Sequence, residues 1–175
     1  TPGDPAETGS QTVTSATHDL ALTGDHEGTT IPLTIHLPDG TGPFPVIILQ
    51  HGFQLAPADY TTTAEHLASW GYVVIQPAWP GSLFSPTPHR VLKEYTVQIL
   101  DWVVTEGANA SAPMGGKADG STIGLAGHSM GGKISLLVAS EDDRPKAVFG
   151  IDPVDAGSPL SSDPVEYPSV TPELM

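Results

Sequence analysis

Four short apolar runs constrain the fold of this chain more than any other feature of its sequence. Their hydrophobic residues do not alternate with polar ones, which is typical of strands that are covered on both faces of a sheet. Segments with helical spacing of apolar residues separate the runs. This alternation predicts an α/β fold with a doubly wound, mostly parallel sheet. The runs lie at 46–49, 72–75, 123–126 and 147–151, and the helical segments at about 58–70, 90–105 and 131–140.

Two further strands are predicted before the first of these runs. Residues 30–37 alternate and place their four apolar side chains on one face, and residues 12–22 also have a strand-like composition. The Gly- and Asp-containing turn at 24–28 connects them, which predicts an antiparallel hairpin at the edge of the sheet. Residues 1–11 are predicted to form a flexible polar lead-in. Residues 12–175 then belong to a single domain, because no repeat and no second domain is visible.

Charge and composition exclude several classes of function. The 175 residues contain six Lys and Arg against twenty Asp and Glu, which gives a net charge of −14. Phosphate backbones and anionic membrane surfaces repel such a chain, so nucleic acid is not expected as a partner. The absence of Cys excludes disulfides, thiolate metal sites and a Cys nucleophile. No stretch approaches the roughly 18 apolar residues of a transmembrane helix. The acidic start at Thr1, which is not Met, predicts a processed protein that is secreted or periplasmic.

The third apolar run leads into a pattern of catalytic chemistry. Gly127-x-Ser129-x-Gly131 lies between a predicted strand and a predicted helix, which is the context of a nucleophile elbow. Such a turn exposes the Ser hydroxyl at a helix N-terminus, where developing negative charge is stabilised. An acyl-transfer Ser also needs oxyanion donors from the residue after it and from a loop after an earlier strand. These criteria select the N–H groups of Met130 and Phe53.

Several segments together resemble the α/β-hydrolase superfamily of serine esterases. They are Leu-Gln-His-Gly-Phe at 49–53, Leu-Ala-Ser-Trp-Gly-Tyr-Val-Val at 67–74, Gly-His-Ser-Met-Gly-Gly at 127–132 and Gly-Ile-Asp-Pro-Val-Asp at 150–155. The sequence is similar to the chlorophyllase-like and acetylhydrolase-like branch, with bacterial polyester hydrolases and dienelactone hydrolases nearby, over about residues 30–160. The resemblance implies a Ser-His-Asp esterase that acts through an acyl-enzyme intermediate on a small-molecule, lipid or polymer ester. It implies no cofactor and no metal.

The catalytic acid has three candidates. Asp152 matches the acid of the chlorophyllase-like branch, and it follows the fourth apolar run directly, where a buried acid could orient a His. Asp155 in the same loop is an alternative, and an acid after a later strand is another. Gln54, Trp79 and His128 are expected to line the substrate pocket, although Trp79 could instead cap the core.

The catalytic base is absent from the expected place in the sequence. In this fold the triad follows the order Ser, acid, His, but all seven His precede Ser129, the last being His128. His128 is a poor base, because an elbow directs adjacent side chains apart, and His51 is expected to support the oxyanion loop. We therefore expect the chain to be the N-terminal portion of a longer protein. Roughly a hundred further residues would carry the remaining strands and the His.

Two other functions are compatible with parts of the sequence. A catalytically silent α/β-hydrolase scaffold that binds a lipid or ester would need no His. A nucleotide-binding P-loop would use Gly127, Gly132 and Lys133, with Asp152 on the metal. However, Ile134 stands where that motif requires Ser or Thr, and the resemblance at 49–53 would have no explanation.

Overall fold

The computed structural model describes residues 3–158, 160, 161 and 163–170. The first two residues of the predicted lead-in and the last five of the predicted domain lie outside this part. The described residues form six strands and three α-helices, with short 3-10 turns at Gly24–His26 and Pro57–Tyr60. In chain order the elements are β1 (Val13–Ala21), β2 (Thr30–Pro38), β3 (Phe44–Gln50), α1 (Thr61–Ser69), β4 (Val73–Pro77), α2 (His89–Glu106), β5 (Ala118–His128), α3 (Met130–Ala139) and β6 (Pro145–Ile151).

The strands form one mixed sheet in the order β1-β2-β4-β3-β5-β6. The first two pair as an antiparallel hairpin, β2 pairs antiparallel with β4, and the four strands from β4 to β6 run parallel. The predicted fold class is therefore confirmed. Its parallel part exists because α1 connects β3 to β4, α2 connects β4 to β5 and α3 connects β5 to β6, and each crossover returns the chain in the same direction.

Both faces of the central strands are covered, as their continuous apolar sequences predict. Val46 and Ile48 of β3 belong to the larger core cluster beneath α2 and α3. Leu49, from the opposite face of the same strand, packs with Ala64 and Ala68 of α1. Because successive side chains of a strand point to opposite faces, a strand between two helical layers must be apolar at every position.

The last strand differs from its prediction as a buried strand. Most residues of β6 are exposed, including Val148 at 38% and Phe149 at 67% of their surface. The reason is its place in the sheet, since β6 is an edge strand and pairs only with β5 within the described residues. An apolar sequence shows that a strand is suited to burial, but it does not show what covers the strand.

The predicted lead-in makes specific contacts where it is described. The Gly9 N–H donates to Ser69 Oγ across 2.8 Å, and Trp70 Nε1 donates to the Glu7 carbonyl across 2.9 Å. This segment therefore lies along the C-terminal end of α1. Among the described residues, no helix is both long enough and apolar enough to cross a membrane.

Candidate active site

The predicted elbow is a sharp turn between β5 and α3. Ser129 occupies it with φ 52° and ψ −117°, a conformation that non-glycine residues rarely adopt. Met130 is the first residue of α3, and an amide in this position has no partner within its helix. Together these features place a half-buried hydroxyl and an available N–H donor at one helix N-terminus.

The glycines of the elbow allow the strand and the helix to approach closely. A Cβ on Gly127 would overlap the backbone carbonyl of Gly131 and lie 2.7 Å from the Gly132 nitrogen. A Cβ on Gly131 would overlap the Gln50 carbonyl at the end of β3 and lie 2.7 Å from the His51 oxygen. No side chain fits at either position, so the Gly-x-Ser-x-Gly spacing is a packing requirement here.

The loop after β3, predicted to supply the second oxyanion donor, lies beside the elbow. A Cβ on Gly52 would be 3.4 Å from the Ser129 Cβ. Buried His51 supports this loop, because its Nδ1 donates to the Gly52 carbonyl across 2.8 Å and its Nε2 accepts from the Trp79 N–H across 2.9 Å. Burial lowers the pKa of His51, which favours the neutral ring that both bonds require. Phe53 is the next residue after Gly52 in this loop, and it lines two separate cavities.

A tyrosine connects this loop to the residue before the nucleophile. The Tyr60 hydroxyl lies 2.7 Å from His128 Nδ1 and accepts a longer, 3.4 Å bond from the Gly52 N–H. His128 is thus held by Tyr60, and it does not line the cavities at Ser129. Its predicted place in the substrate pocket is not observed, because the turn at Ser129 sends the neighbouring side chain toward α1.

Asp152 lies one residue beyond a direct backbone contact with the nucleophile. The Ser129 N–H donates to the Ile151 carbonyl across 3.0 Å, and the Val154 N–H approaches the Ser129 carbonyl at 3.4 Å. Asp152 itself has φ 46° and is exposed, which differs from the expected burial of a catalytic acid. Its exposure follows from its position at the end of the edge strand β6.

Asp155, the alternative acid, is engaged with a buried lysine. Lys133 is only 1% exposed, and its Nζ lies 3.3 Å from Asp155 Oδ1 and 3.3 Å from the Ala156 carbonyl. Partial burial raises the pKa of Asp155, but hydrogen bonds from the Val170 N–H and Lys133 outweigh that effect and lower it. Lys133 therefore anchors the loop after β6, and its buried ammonium is engaged by Asp155 and the Ala156 carbonyl. This geometry argues against the nucleotide-binding alternative.

Two adjoining cavities surround the oxyanion residues. A smaller one of about 50 Å³ is lined by Gln54 and Trp79, and Trp79 also packs in the core at 8% exposure. The role of both residues in a substrate pocket stays a prediction. The larger one, about 200 Å³, contains the nucleophile. Its lining consists of Phe53, Pro86, Thr87, His89, Ser129, Met130, Val154, Ala156, Gly157, Ser158 and Tyr167.

His89 and Tyr60 were not identified from the sequence as residues of this region, and Lys133 was considered only as a P-loop lysine. His89 precedes the predicted helical segment at about 90–105, but in the structure it is the first residue of α2, is 5% exposed and faces Tyr167 edge-on at 4.8 Å. Only the Pro immediately before it signalled a helix start. Lys133 had a signal in the Gly-Gly-Lys sequence after the elbow. Tyr60 had none, because its contact with His128 is long-range.

No metal-binding cluster of three or more His, Cys, Asp or Glu side chains occurs within the described part of the chain.

Comparison with known proteins agrees with this geometry. The sequence model of the chlorophyllase family matches residues 6–170. Chlorophyllase-1 and chlorophyllase-2 of Arabidopsis thaliana are 32% and 33% identical to the chain over 130 and 129 residues, which cover 70% of the chain and 39% and 40% of those proteins. The chloroplastic chlorophyllase-1 of Citrus sinensis is 31% identical over 123 residues, covering 70% of the chain and 36% of that protein. The chain thus spans well under half the length of these relatives. The match of the family model to nearly the whole sequence shows that the chain belongs to the chlorophyllase family, within the α/β-hydrolase superfamily.

Proposed function

We propose that this chain carries the nucleophile, the oxyanion hole and the catalytic acid of a serine carboxylic ester hydrolase. The observation that carries the proposal is the strained turn at Ser129, with the Met130 amide at the helix start and the Gly52–Phe53 loop against it. Strain of this kind persists only where the surrounding structure enforces it, and it is concentrated at functional sites.

The proposed reaction proceeds through an acyl-enzyme. Ser129 Oγ attacks the ester carbonyl carbon and gives its proton to a His, while the Phe53 and Met130 N–H groups stabilise the oxyanion. The protonated His then donates that proton to the leaving alcohol, and the C–O bond breaks. Water, deprotonated by the same His, releases the acid and regenerates the hydroxyl. Asp152 orients the His and stabilises its charged form.

The base is proposed to come from a segment of the same protein outside this sequence. Support comes from the exposed apolar residues of β6, among them Phe149 and Ile151. Asp152 follows the end of this strand directly. A segment that covers these apolar residues would bring its own side chains to the carboxyl end of the sheet, where Ser129 and Asp152 follow neighbouring strands. If this is correct, a longer form that includes the segment hydrolyses esters, whereas residues 1–175 alone do so poorly. Full activity of residues 1–175 alone would contradict it.

The substrate is proposed to be an uncharged ester. The described lining of the larger cavity is mostly apolar, and within it His89 and Tyr167 are the only residues with an ionisable side chain. The names of the relatives make chlorophyll one ester to assay, beside short-chain, lipid and polyester substrates. Secretion or periplasmic export stays a prediction from composition.

Fluorophosphonate labelling tests the nucleophile directly. The probe reacts with an activated Ser, so labelling of the protein should disappear in Ser129→Ala and persist in Ser111→Ala, which changes an exposed Ser. Ester hydrolysis should fall by about 10⁶-fold in Ser129→Ala, with the melting temperature retained. Absence of labelling in a form that contains the complete domain would instead favour the silent ligand-binding scaffold.

A further inference from the structure

Two buried side-chain polar atoms lack a hydrogen-bond partner within the described residues, and both belong to side chains that line the cavities beside the oxyanion residues. They are Nε1 of Trp79, which lines the smaller cavity, and Nδ1 of His89, which lines the larger. An unpartnered buried polar group is destabilising, and in folded proteins such groups are usually satisfied by water or by a ligand. Their occurrence at one site indicates a region that is built to hydrogen-bond something other than the protein.

His89 is the better placed of the two for contact with a substrate. It lines the same cavity as Ser129, whereas Trp79 lines the neighbouring one. Its ring is held by the edge-on contact with Tyr167, and the residue begins the long helix α2. A side chain fixed in this way loses little conformational freedom when it binds a ligand.

The surroundings of His89 favour a neutral imidazole. Burial lowers its pKa to about 4, and the nearby Lys133 ammonium contributes to the shift, while Asp155 acts in the opposite direction. A neutral imidazole has one donor and one acceptor nitrogen. Among the described residues, the rest of the cavity lining contains hydroxyl and apolar groups and no Asp, Glu, Lys or Arg. The site therefore suits a neutral oxygen group and does not suit a carboxylate or an ammonium.

We propose that His89 is a specificity-determining residue, which hydrogen-bonds a second, neutral oxygen group of the ester near the scissile bond. The proposal rests on the proposed function, because it takes the Ser129 cavity as the substrate site. Preferred substrates are then esters that carry an ether, ketone, hydroxyl or further ester oxygen beside the reacting carbonyl. Plain aliphatic esters of the same size leave His89 without a partner, which reduces their selection by the site.

Binding to a Ser129→Ala protein tests this without any hydrolysis. Two pairs of esters differ only in an ether oxygen that replaces a methylene group. Phenyl 3-methoxypropanoate and phenyl pentanoate vary the acyl side, and 2-methoxyethyl benzoate and butyl benzoate vary the alcohol side. With ¹⁵N-labelled histidine, NMR follows the ring nitrogens, and His89 is assigned by the signal that is lost in His89→Asn. The signals of the other His are internal references.

The proposal expects the ether ester of at least one pair to shift the His89 nitrogen signal much more than its alkyl counterpart. Calorimetry should show that this ester binds about 2- to 10-fold more tightly than the alkyl ester, the range expected for one hydrogen bond. The preference should disappear in His89→Leu and be retained in His89→Asn, whose amide can occupy the position of Nδ1. Equal shifts by both members of each pair, no shifts, or a preference that survives in His89→Leu would overturn it. If the unsubstituted protein is not labelled by fluorophosphonate but the NMR and calorimetry results are as expected, the esterase function is refuted and the binding role of His89 is retained.

Discussion

The backbone N–H of Ser129 donates a hydrogen bond to the carbonyl of Ile151 across 3.0 Å. This single bond connects the proposed nucleophile to the residue that precedes Asp152. It fixes the relative position of two loops that leave neighbouring parallel strands. It also places the Asp152 backbone next to the elbow, independently of the conformation of the Asp152 side chain. The carboxylate of Asp155, three residues further on, instead forms an ion pair with Lys133 and accepts a hydrogen bond from the Val170 N–H.

Substitution of the two aspartates should therefore have different effects. Asp152→Asn in the active protein is expected to lower kcat by about 10⁴-fold, because an amide cannot stabilise the charged His, while the fold is retained. Asp155→Asn should leave most of kcat and instead reduce stability. Steady-state kinetics with thermal unfolding of both variants checks this. The reverse pattern would assign the acid to Asp155, and full activity of both would point to an acid outside this sequence.

The elbow should not tolerate a methyl group at Gly131. Gly131→Ala places a Cβ against the carbonyls of Gln50 and His51, which belong to the backbone and cannot rotate away. We expect a loss of about 3 kcal/mol or more in the free energy of unfolding. Gly124→Ala, in the middle of β5, is the matched control, since its nearest neighbour would be 3.6 Å away. Urea unfolding of both variants measures the difference, and similar stabilities would show that the elbow relaxes.

The sequence predicted most of the fold because its local signals and its tertiary structure agree. Runs without alternation became covered strands, and Gly127, Ser129 and Gly131 became the elbow, since both patterns follow from short-range sterics and burial. The exposure of β6 could not be predicted, because it depends on which strand lies at the edge. His89 was missed for a similar reason. The ring that packs edge-on against it belongs to Tyr167, which is far away in sequence and has no signal of its own.

The phenol of Tyr60 is expected to position the oxyanion loop. Tyr60→Phe removes the hydroxyl that lies between His128 Nδ1 and the Gly52 N–H, and it leaves the ring in place. Since Tyr60 lines neither cavity, KM should change little, while kcat should fall by about 5- to 10-fold, the equivalent of one hydrogen bond. Tyr72→Phe, at the other end of the sheet, is the control. A change in KM alone would mean that Tyr60 contacts substrate.

The ion pair of Lys133 and Asp155 should stabilise the loop after β6. Asp155→Ala leaves the ammonium of Lys133 buried with backbone carbonyls only, so we expect a loss of about 1–3 kcal/mol, reduced by the partial exposure of Asp155. In a Lys133→Met background, Asp155→Ala should be nearly neutral, because no buried charge remains. Chemical unfolding of the single and double variants measures the coupling, with Asp143→Ala as a control for net charge. Additive losses would show that the pair does not interact.

Stability should fall in mild acid because of His89. Its pKa is about 4 in the folded chain, against 6.5 for an unperturbed His, so between these values the unfolded state binds more protons than the native state. The contribution of neutral His89 to the free energy of unfolding is fully present above about pH 6.5. This contribution, on the order of 3 kcal/mol, is lost as the pH falls toward 4. His51, whose pKa is also lowered, adds to the same slope. His89→Asn should flatten the dependence of the unfolding free energy on pH over this window without removing it. An unchanged slope would mean that His89 is protonated in the native state at pH 5, and that the cavity accommodates a charged imidazole.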